Sequence, residues 1–217
     1  MQGENSSGLR SLLKNPVVYS VFQSLIVRRQ IWPDLFAEFI GQDHGKLDVL
    51  DIGCGPGSLL KIKGSSFDPA RFVGVDLSVE YINRARLDFP SARFECGTVS
   101  ELGVLPERFD LVVMSGVLHH VNDVEASEMM KFAVTHVRES GIVLSVDPVI
   151  FPGQHRFARF MAEADRGQYI RSVSSLAAMW ENTPLTGNVS TFVKSGYLRV
   201  PYNHGVCVVR KTLIRLP

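Results

Sequence analysis

From residue 47 onward the chain alternates short unbroken apolar blocks with stretches whose apolar residues return at helical spacing. Two blocks, Leu111-Val112-Val113-Met114 and Ile142-Val143-Leu144, are apolar on successive residues. A strand exposed on one face would alternate with polar residues, so these runs predict strands buried on both faces, as in a parallel sheet covered by helices. The pattern places strands at 47–52, 71–76, 92–96, 109–114 and 142–146, with helical segments at 58–62, 79–87 and 125–137. Right-handed crossovers between such strands give a doubly wound α/β sheet.

The flanks follow other rules. Residues 1–11 are polar and read as a frayed end. Over 15–40, Val18, Phe22, Leu25 and Ile26 recur at helical spacing, and after Pro33 a second set follows with Leu35, Phe36, Phe39 and Ile40. Two helices before the first strand are expected, with Pro33 admissible in a first turn. After Pro148, 151–168 is rich in Arg, Phe and Gly, and 172–181 reads as a helix. The runs 189–199 and 206–213 are β-rich around Pro201-Tyr202-Asn203-His204-Gly205. Asn203 and Gly205 suit a turn, which predicts an antiparallel pair at the sheet edge. The expected fold is a seven-stranded, mostly parallel, Rossmann-like sheet with an antiparallel edge hairpin. It forms one domain over 1–217, with 12–44 as an N-terminal helical cover and 149–188 as an insertion over the carboxyl ends of the strands.

Composition narrows the function classes. A chain of 217 residues with 45% hydrophobic and 21% charged residues suits one globular domain with a complete core. The formal charge of +1 and the absence of a long basic block argue against nucleic acid as partner, although folding can still gather Arg28 and Arg29 into a patch. Cys54, Cys96 and Cys207 lack metal-site spacing and read as buried free thiols. With no secretion signal, they point to a reducing cytoplasm. No apolar run approaches the length of a membrane span. The six histidines form no zinc motif, so a metal-free protein is the expectation.

The most specific signal is Leu47-Asp-Val-Leu-Asp-Ile-Gly-Cys-Gly-Pro-Gly-Ser-Leu59, a strand running into a bend with Gly53, Gly55 and Gly57. Gly53 and Gly55 let the backbone turn sharply and approach a ligand, and Gly57 permits close packing as the next segment begins. A dinucleotide fingerprint, Gly-x-Gly-x-x-Gly, fails at Ser58. Asp51 just before the bend would repel a diphosphate but suits a sulfonium or α-amino group. Asp76, ending the next apolar run, can accept hydrogen bonds from both hydroxyls of a ribose. The alternative is that Asp76 caps the helix starting near Ser78, a task Ser78 can perform itself.

Over residues 47–148 these motifs resemble the class I S-adenosylmethionine-dependent methyltransferases, whose Asp-x-Gly-x-Gly-x-Gly motif is matched by Asp51, Gly53, Gly55 and Gly57. The resemblance implies that Gly53, Cys54, Gly55 and Gly57 approach the methionine and ribose portion and that Asp51 supports the amino end. It implies further that Asp76 holds the ribose, Leu77 packs against adenine, and Ser115 and Gly116 lie near the ammonium. Where such families often carry an Asp after the third strand, this chain reads Cys96-Gly97-Thr98-Val99, so the adenine amino contact falls to the Thr98 side chain or the Val99 backbone. Asn15-Pro16, Tyr19, Gln23, Leu118-His119-His120-Val121, Asp147-Pro148 and Asp165-Arg166-Gly167 followed by Arg171 resemble a bacterial subgroup acting on small molecules.

Methyl displacement needs alignment and exclusion of water, with a base optional. His119 and His120 follow the fourth strand, and one can accept a proton from an acceptor hydroxyl or amine. Adjacent side chains diverge, so at most one is expected to face the acceptor; the alternative makes both scaffold residues. Asp147 ends the fifth strand and either orients an acceptor or caps a turn. Tyr19 and Gln23 are expected in a lid over the cofactor, with helix packing as the alternative for Tyr19. Arg156, Arg159, Arg166 and Arg171, with Phe157, Phe160 and Tyr169, either form a cationic cover that selects a carboxylate or phosphate, or are solvated arginines tied to Glu163 and Asp165. An amphipathic cover would admit a lipid-linked substrate, unless its phenylalanines are core.

The leading expectation is methyl transfer from S-adenosylmethionine to an oxygen or nitrogen of a small metabolite. The alternatives are an RNA or other nucleic-acid methyltransferase and a non-catalytic S-adenosylmethionine-binding scaffold. A nicotinamide oxidoreductase is disfavoured by Ser58. The base-amine signature Asn/Asp-Pro-Pro-Tyr/Phe is missing after the fourth strand, where the chain reads Met114-Ser115-Gly116-Val117. The sequence leaves the oligomeric state open.

Overall fold

The computed structural model describes residues 31–41, 44–62, 67–163, 167–184, 186–197 and 202–211. Its sheet has the spatial order β3-β2-β1-β4-β5-β8-β7. In the chain these strands are β1 Val49–Ile52, β2 Phe72–Asp76, β3 Arg93–Cys96, β4 Phe109–Ser115, β5 Val137–Ile150, β7 Thr186–Ser195 and β8 Asn203–Lys211. A two-residue strand, β6 (Arg171–Ser172), pairs with the end of β5 off this path. Strands β1 to β5 run parallel, whereas β8 is antiparallel to both β5 and β7. The helices are α1 Trp32–Phe39, α2 Val79–Asp88, α3 Val99–Leu102, α4 Asp123–His136, α5 Arg156–Glu163 and α6 Val173–Glu181. The seven-stranded path with its edge hairpin is the expected one.

The unbroken apolar runs feed two cores at once, because successive strand residues point to opposite faces. Val49, Leu111, Val113, Leu144, Val206 and Val208 meet α1 and α2 through Leu35, Phe36, Ile82 and Ala85. Their neighbours Leu50, Val112, Val143, Cys207 and Val209 meet α4 and α6 through Met130, Ala133, Leu176 and Trp180. Pro33 lies in the first turn of α1, as expected. The helix expected before α1 lies outside the described residues. Asp34 accepts a hydrogen bond from Tyr197 at 2.8 Å, and Glu38 pairs with Lys194 at 2.9 Å, so α1 is tied to the edge hairpin.

Some local expectations change. The segment after the glycine bend is a single 3-10 turn, Ser58–Lys61, with Gly57 in the left-handed region before it. Strand β5 is 14 residues long, longer at both ends than expected, with a register shift opposite Phe109/Leu111. Asn203 and Gly205 are not turn residues. Both lie in β8, Gly205 opposite Asp147 on β5 and Asn203 opposite Ser195 on β7. Gly205 is required there by packing, because a Cβ would stand 2.4 Å from Val149 Cγ1. Cys54 and Cys207 are buried, but Cys96 is exposed, against expectation. Among the described residues no helix is long and apolar enough to cross a membrane.

Candidate active site

The order reverses between β1 and β4, whose carboxyl ends lie side by side, with Ile52 in register with Met114 and with Val75. A crevice opens at such a switch point, and the predicted glycine bend leaves β1 there. Gly53, Gly55 and Gly57 have φ of 78°, 54° and 72°, a region side chains avoid. Gly53 and Cys54 both donate their N–H to the Val75 carbonyl, at 2.8 and 3.0 Å. The Asp76 carboxylate accepts from Gly55 N–H and from Ser78 N–H, each at 2.8 Å. Ser78 itself caps α2, its hydroxyl accepting from Tyr81 N–H at 3.2 Å, so the helix does not need Asp76 as its cap. Leu77 is 64% exposed at this edge.

Behind the bend Asp51 is 2% exposed, and its Oδ1 has no hydrogen-bond partner among the described residues. Burial, and then the negative charge of Asp76, push its carboxyl up to about 7. A buried carboxylate beside a second acid is an unfavourable arrangement unless a cation joins it. Cys54 sits in the same turn with its thiol buried against the Gly74 backbone, where a Cβ would approach its Sγ to 2.8 Å. Burial and both aspartates raise the thiol far above the usual range, so Cys54 packs the bend and is no nucleophile.

At the end of β3 the structure gives Thr98 a local role. Its hydroxyl accepts from Glu101 N–H at 3.1 Å and donates to the Glu101 carboxylate at 2.9 Å, while Thr98 N–H donates to that carboxylate at 2.8 Å. This capping box starts α3, a helix the periodicity does not predict, and it ties the Thr98 hydroxyl to the first turn of its own helix. The Thr-x-x-Glu spacing was the available signal. Val99 is buried beneath the cap.

Beyond β4, Ser115 and Gly116 turn the chain at the crevice, Gly116 with φ 61° and its N–H bonded to the Val146 carbonyl at 2.7 Å. Val117 presses on the glycine bend, since a Cβ on Gly53 would meet its Cγ2 at 2.7 Å. The 3-10 turn Leu118–His120 then brings two predicted residues together. His119 Nδ1 lies 2.9 Å from Asp147 Oδ1, and the His119 N–H donates to the same oxygen at 3.2 Å. Both side chains are buried, and Ser145 adds a 3.4 Å contact to the other carboxylate oxygen. His120 is exposed, and the two rings do not diverge as expected: their centroids are 4.0 Å apart.

The remaining predicted residues fare differently. Tyr19, Gln23 and Arg166 lie outside the described residues. Arg156 is exposed at the start of α5, and Arg159 pairs with Glu163 at 2.8 Å on that helix. Phe157 and Phe160 are 45% and 61% exposed, so neither is core. Arg171 is held inside the protein, its guanidinium engaged by groups of the chain itself. It donates to the Leu118 and Val121 carbonyls at 2.5 and 2.9 Å and to Asp123 at 2.9 Å. Among the described residues no cluster of three or more His, Cys, Asp or Glu could hold a metal ion.

Comparison with known proteins agrees with this geometry. Residues 49–141 match the family described as a methyltransferase domain. The trans-aconitate 2-methyltransferase of Variovorax paradoxus is 34% identical over 77 residues, 36% of this chain and 30% of that protein. A ubiquinone biosynthesis O-methyltransferase of Bradyrhizobium diazoefficiens is 40% identical over 84 residues, 37% of this chain and 32% of the relative. The chain thus spans about a third of the length of the curated relatives it matches. Among solved structures, an S-adenosylmethionine-dependent methyltransferase from Archaeoglobus fulgidus superposes with a TM-score of 0.64 at 16% identity, over 88% of this chain and 99% of that one. The methyltransferase SibL gives 0.65 at 14% identity, over 93% of this chain and 61% of that one. Over residues 49–141 the chain is thus similar to the methyltransferase-domain family, and its fold is like that of the solved S-adenosylmethionine-dependent methyltransferases.

Proposed function

We propose that this protein transfers a methyl group from S-adenosylmethionine to an oxygen or nitrogen of a small metabolite. The observation that carries the reading is the buried Asp51 carboxylate, with one oxygen unpartnered among the described residues, directly behind a bend of three glycines in the left-handed region. Such a site fits a ligand with ammonium and sulfonium charge and opposes a diphosphate. Asp76 retains acceptor capacity for ribose hydroxyls beside its two backbone bonds, since an ionised carboxylate offers about four lone-pair sites. Leu77 offers an exposed apolar face to a base, and the Val99 backbone is the second candidate contact for its amino group. When bound, S-adenosylmethionine supplies an electrophilic methyl group whose bond to sulfur breaks as the acceptor bond forms.

His119 is the base in this reading. The Asp147 carboxylate can only accept, so Nδ1 carries the hydrogen in the pair and Nε2 is the ring atom that takes a proton from the acceptor. Asp147 holds the tautomer and stabilises the imidazolium that forms. Residues 149–188 act as the acceptor-side cover, with Arg156 and Arg166 as candidate contacts for an acidic acceptor. The relatives named for trans-aconitate and for ubiquinone biosynthesis support a small-molecule acceptor over nucleic acid. Three free cysteines fit work in the cytoplasm.

Calorimetric titration with S-adenosylmethionine, S-adenosylhomocysteine and NAD tests the cofactor assignment, and radiolabelled methyl transfer to a metabolite panel tests turnover. Binding of both sulfur nucleosides without NAD is expected. Occupancy by NAD alone would overturn the reading. Asp76→Ala is expected to weaken S-adenosylmethionine binding by about 1–3 kcal/mol, through lost charged hydrogen bonds. Affinity equal to the unmodified protein would refute the role of Asp76.

A further inference from the structure

The segment after α5 meets the turn that carries His119 at three points, none required by the sheet. Arg171, on β6, is 8% exposed in its side chain, whereas its ion-pair partner Asp123 is 80% exposed. Its guanidinium bonds the Leu118 and Val121 carbonyls, which bracket His119 and His120, and reaches the Tyr169 carbonyl at 3.3 Å. Tyr169 N–H donates to the His119 carbonyl at 3.0 Å. Gly167 lies flat on the imidazole: a Cβ there would stand 2.1 Å from His119 Cδ2 and 2.7 Å from the His119 carbonyl oxygen. Gly167 is not in the left-handed region, so its lack of a side chain serves this contact and no backbone need.

We propose that Arg171 is a positioning residue for His119, holding the 118–121 turn so that the imidazole stays locked on Asp147 beneath Gly167. This rests on the reading of His119 as the proton acceptor. Asp147 on β5 and Arg171 on β6 come from paired strands, with Val149 in register with Arg171. They grip the same short turn, one by the ring and the first amide, the other by the carbonyls at its ends. A planar guanidinium suits this, because it can bond several fixed acceptors at once. The acceptor cover and the base are thereby one mechanical unit, and displacement of the cover moves the ring. An error of this kind in a catalytic group can cost on the order of 10²-fold in rate.

The test uses the full chain loaded with S-adenosylhomocysteine, as Arg171→Gln, Arg171→Lys and Gly167→Ala, with Arg84→Gln, exposed on α2, as a surface control. Long-range ¹H–¹⁵N NMR reads the His119 tautomer, and hydrogen exchange reads the His119 and Tyr169 amides. In the unmodified protein a single tautomer protonated at Nδ1 is expected. Arg171→Gln is expected to mix the tautomers and to speed exchange of both amides about tenfold or more, with S-adenosylhomocysteine affinity unchanged. Arg171→Lys is expected to behave like Gln, since it keeps the charge but loses the fork; full rescue by Lys would reduce Arg171 to an ion pair with Asp123 and overturn the proposal. Gly167→Ala, which leaves every Arg171 bond its atoms, is expected to shift the ring signals as well, and keeps the test alive if Arg171→Gln does not fold. Unmoved signals and unchanged exchange in the folded variants would sink it. Separately, undiminished methyl transfer by His119→Gln would sink the base assignment while the Arg171→Gln spectral shifts stood.

Discussion

At the scale of single residues, Asp51 makes the sharpest prediction. Its folded-state pKa of about 7 lies above the ordinary carboxylate value near 3.8, so the native state holds a proton that the unfolded chain releases. The contribution to stability is present in full below the unfolded value and is lost as pH rises through about 7. Without ligand, stability should therefore fall between pH 4 and 7 relative to Asp51→Asn, as urea denaturation across that range would show. Binding of a sulfonium nucleoside restores the charged form, so at pH 6 it should release about one proton per site. Calorimetry in two buffers of different ionisation enthalpy measures that release, and proton uptake instead would rule out a cationic group beside Asp51. Gly53→Ala is a second case at this scale. The left-handed φ of 78° and the 2.7 Å approach to Val117 should together cost about 1–3 kcal/mol on chemical denaturation.

At the scale of elements, α4 shows how local sequence sets a site. Asn122 accepts from Val124 and Glu125 N–H, and Glu125 answers to Asn122 N–H at 3.0 Å. This capping box stops the 118–121 turn and starts the helix, so Asn122→Ala should cost about 1 kcal/mol in thermal or chemical unfolding. At the other end His136 is 1% exposed and bridges α4 to the connection before β4. Its Nδ1 faces the Phe132 carbonyl at 2.7 Å, and its Nε2 accepts from Leu105 N–H at 2.9 Å. That geometry requires a neutral ring, and burial holds its pKa below 6.5. The contribution is complete above the unfolded value and is lost as pH falls through the depressed folded one. Acid unfolding should accordingly be less steep in His136→Gln below about pH 6.5; an identical slope would remove His136 as its cause.

At the scale of the whole molecule, the sheet is the organiser. Leu144 at the centre of β5 is fully buried between Val113 and Val208, and Leu144→Ala should cost about 2–5 kcal/mol in one cooperative transition. At the amino end of the sheet Arg138 joins Asp48 and Asp110 at 2.7 and 2.5 Å, tying β1, β4 and β5 together.

The strands, the two-sided burial and the glycine bend could be read directly in the chain because each depends on neighbours in sequence. Leu111 to Met114 must be buried on both faces wherever the sheet lies, and Gly53, Gly55 and Gly57 bend the backbone by their own conformational freedom. The places of Asp51 and Asp76 follow for the same reason, Asp51 lying within β1 and Asp76 closing β2. The Thr98-Glu101 box is equally local, but the four-residue helix it starts is too short to show a periodicity. Tertiary structure alone decided the rest. Arg171 lies 50 residues from Val121 in the chain, Asp147 lies 28 from His119, and only the pairing of β6 with β5 and of β5 with β4 closes those distances. Local sequence fixes what a segment can do with its own backbone. Which distant carbonyl an arginine meets is set by how the strands are ordered in space.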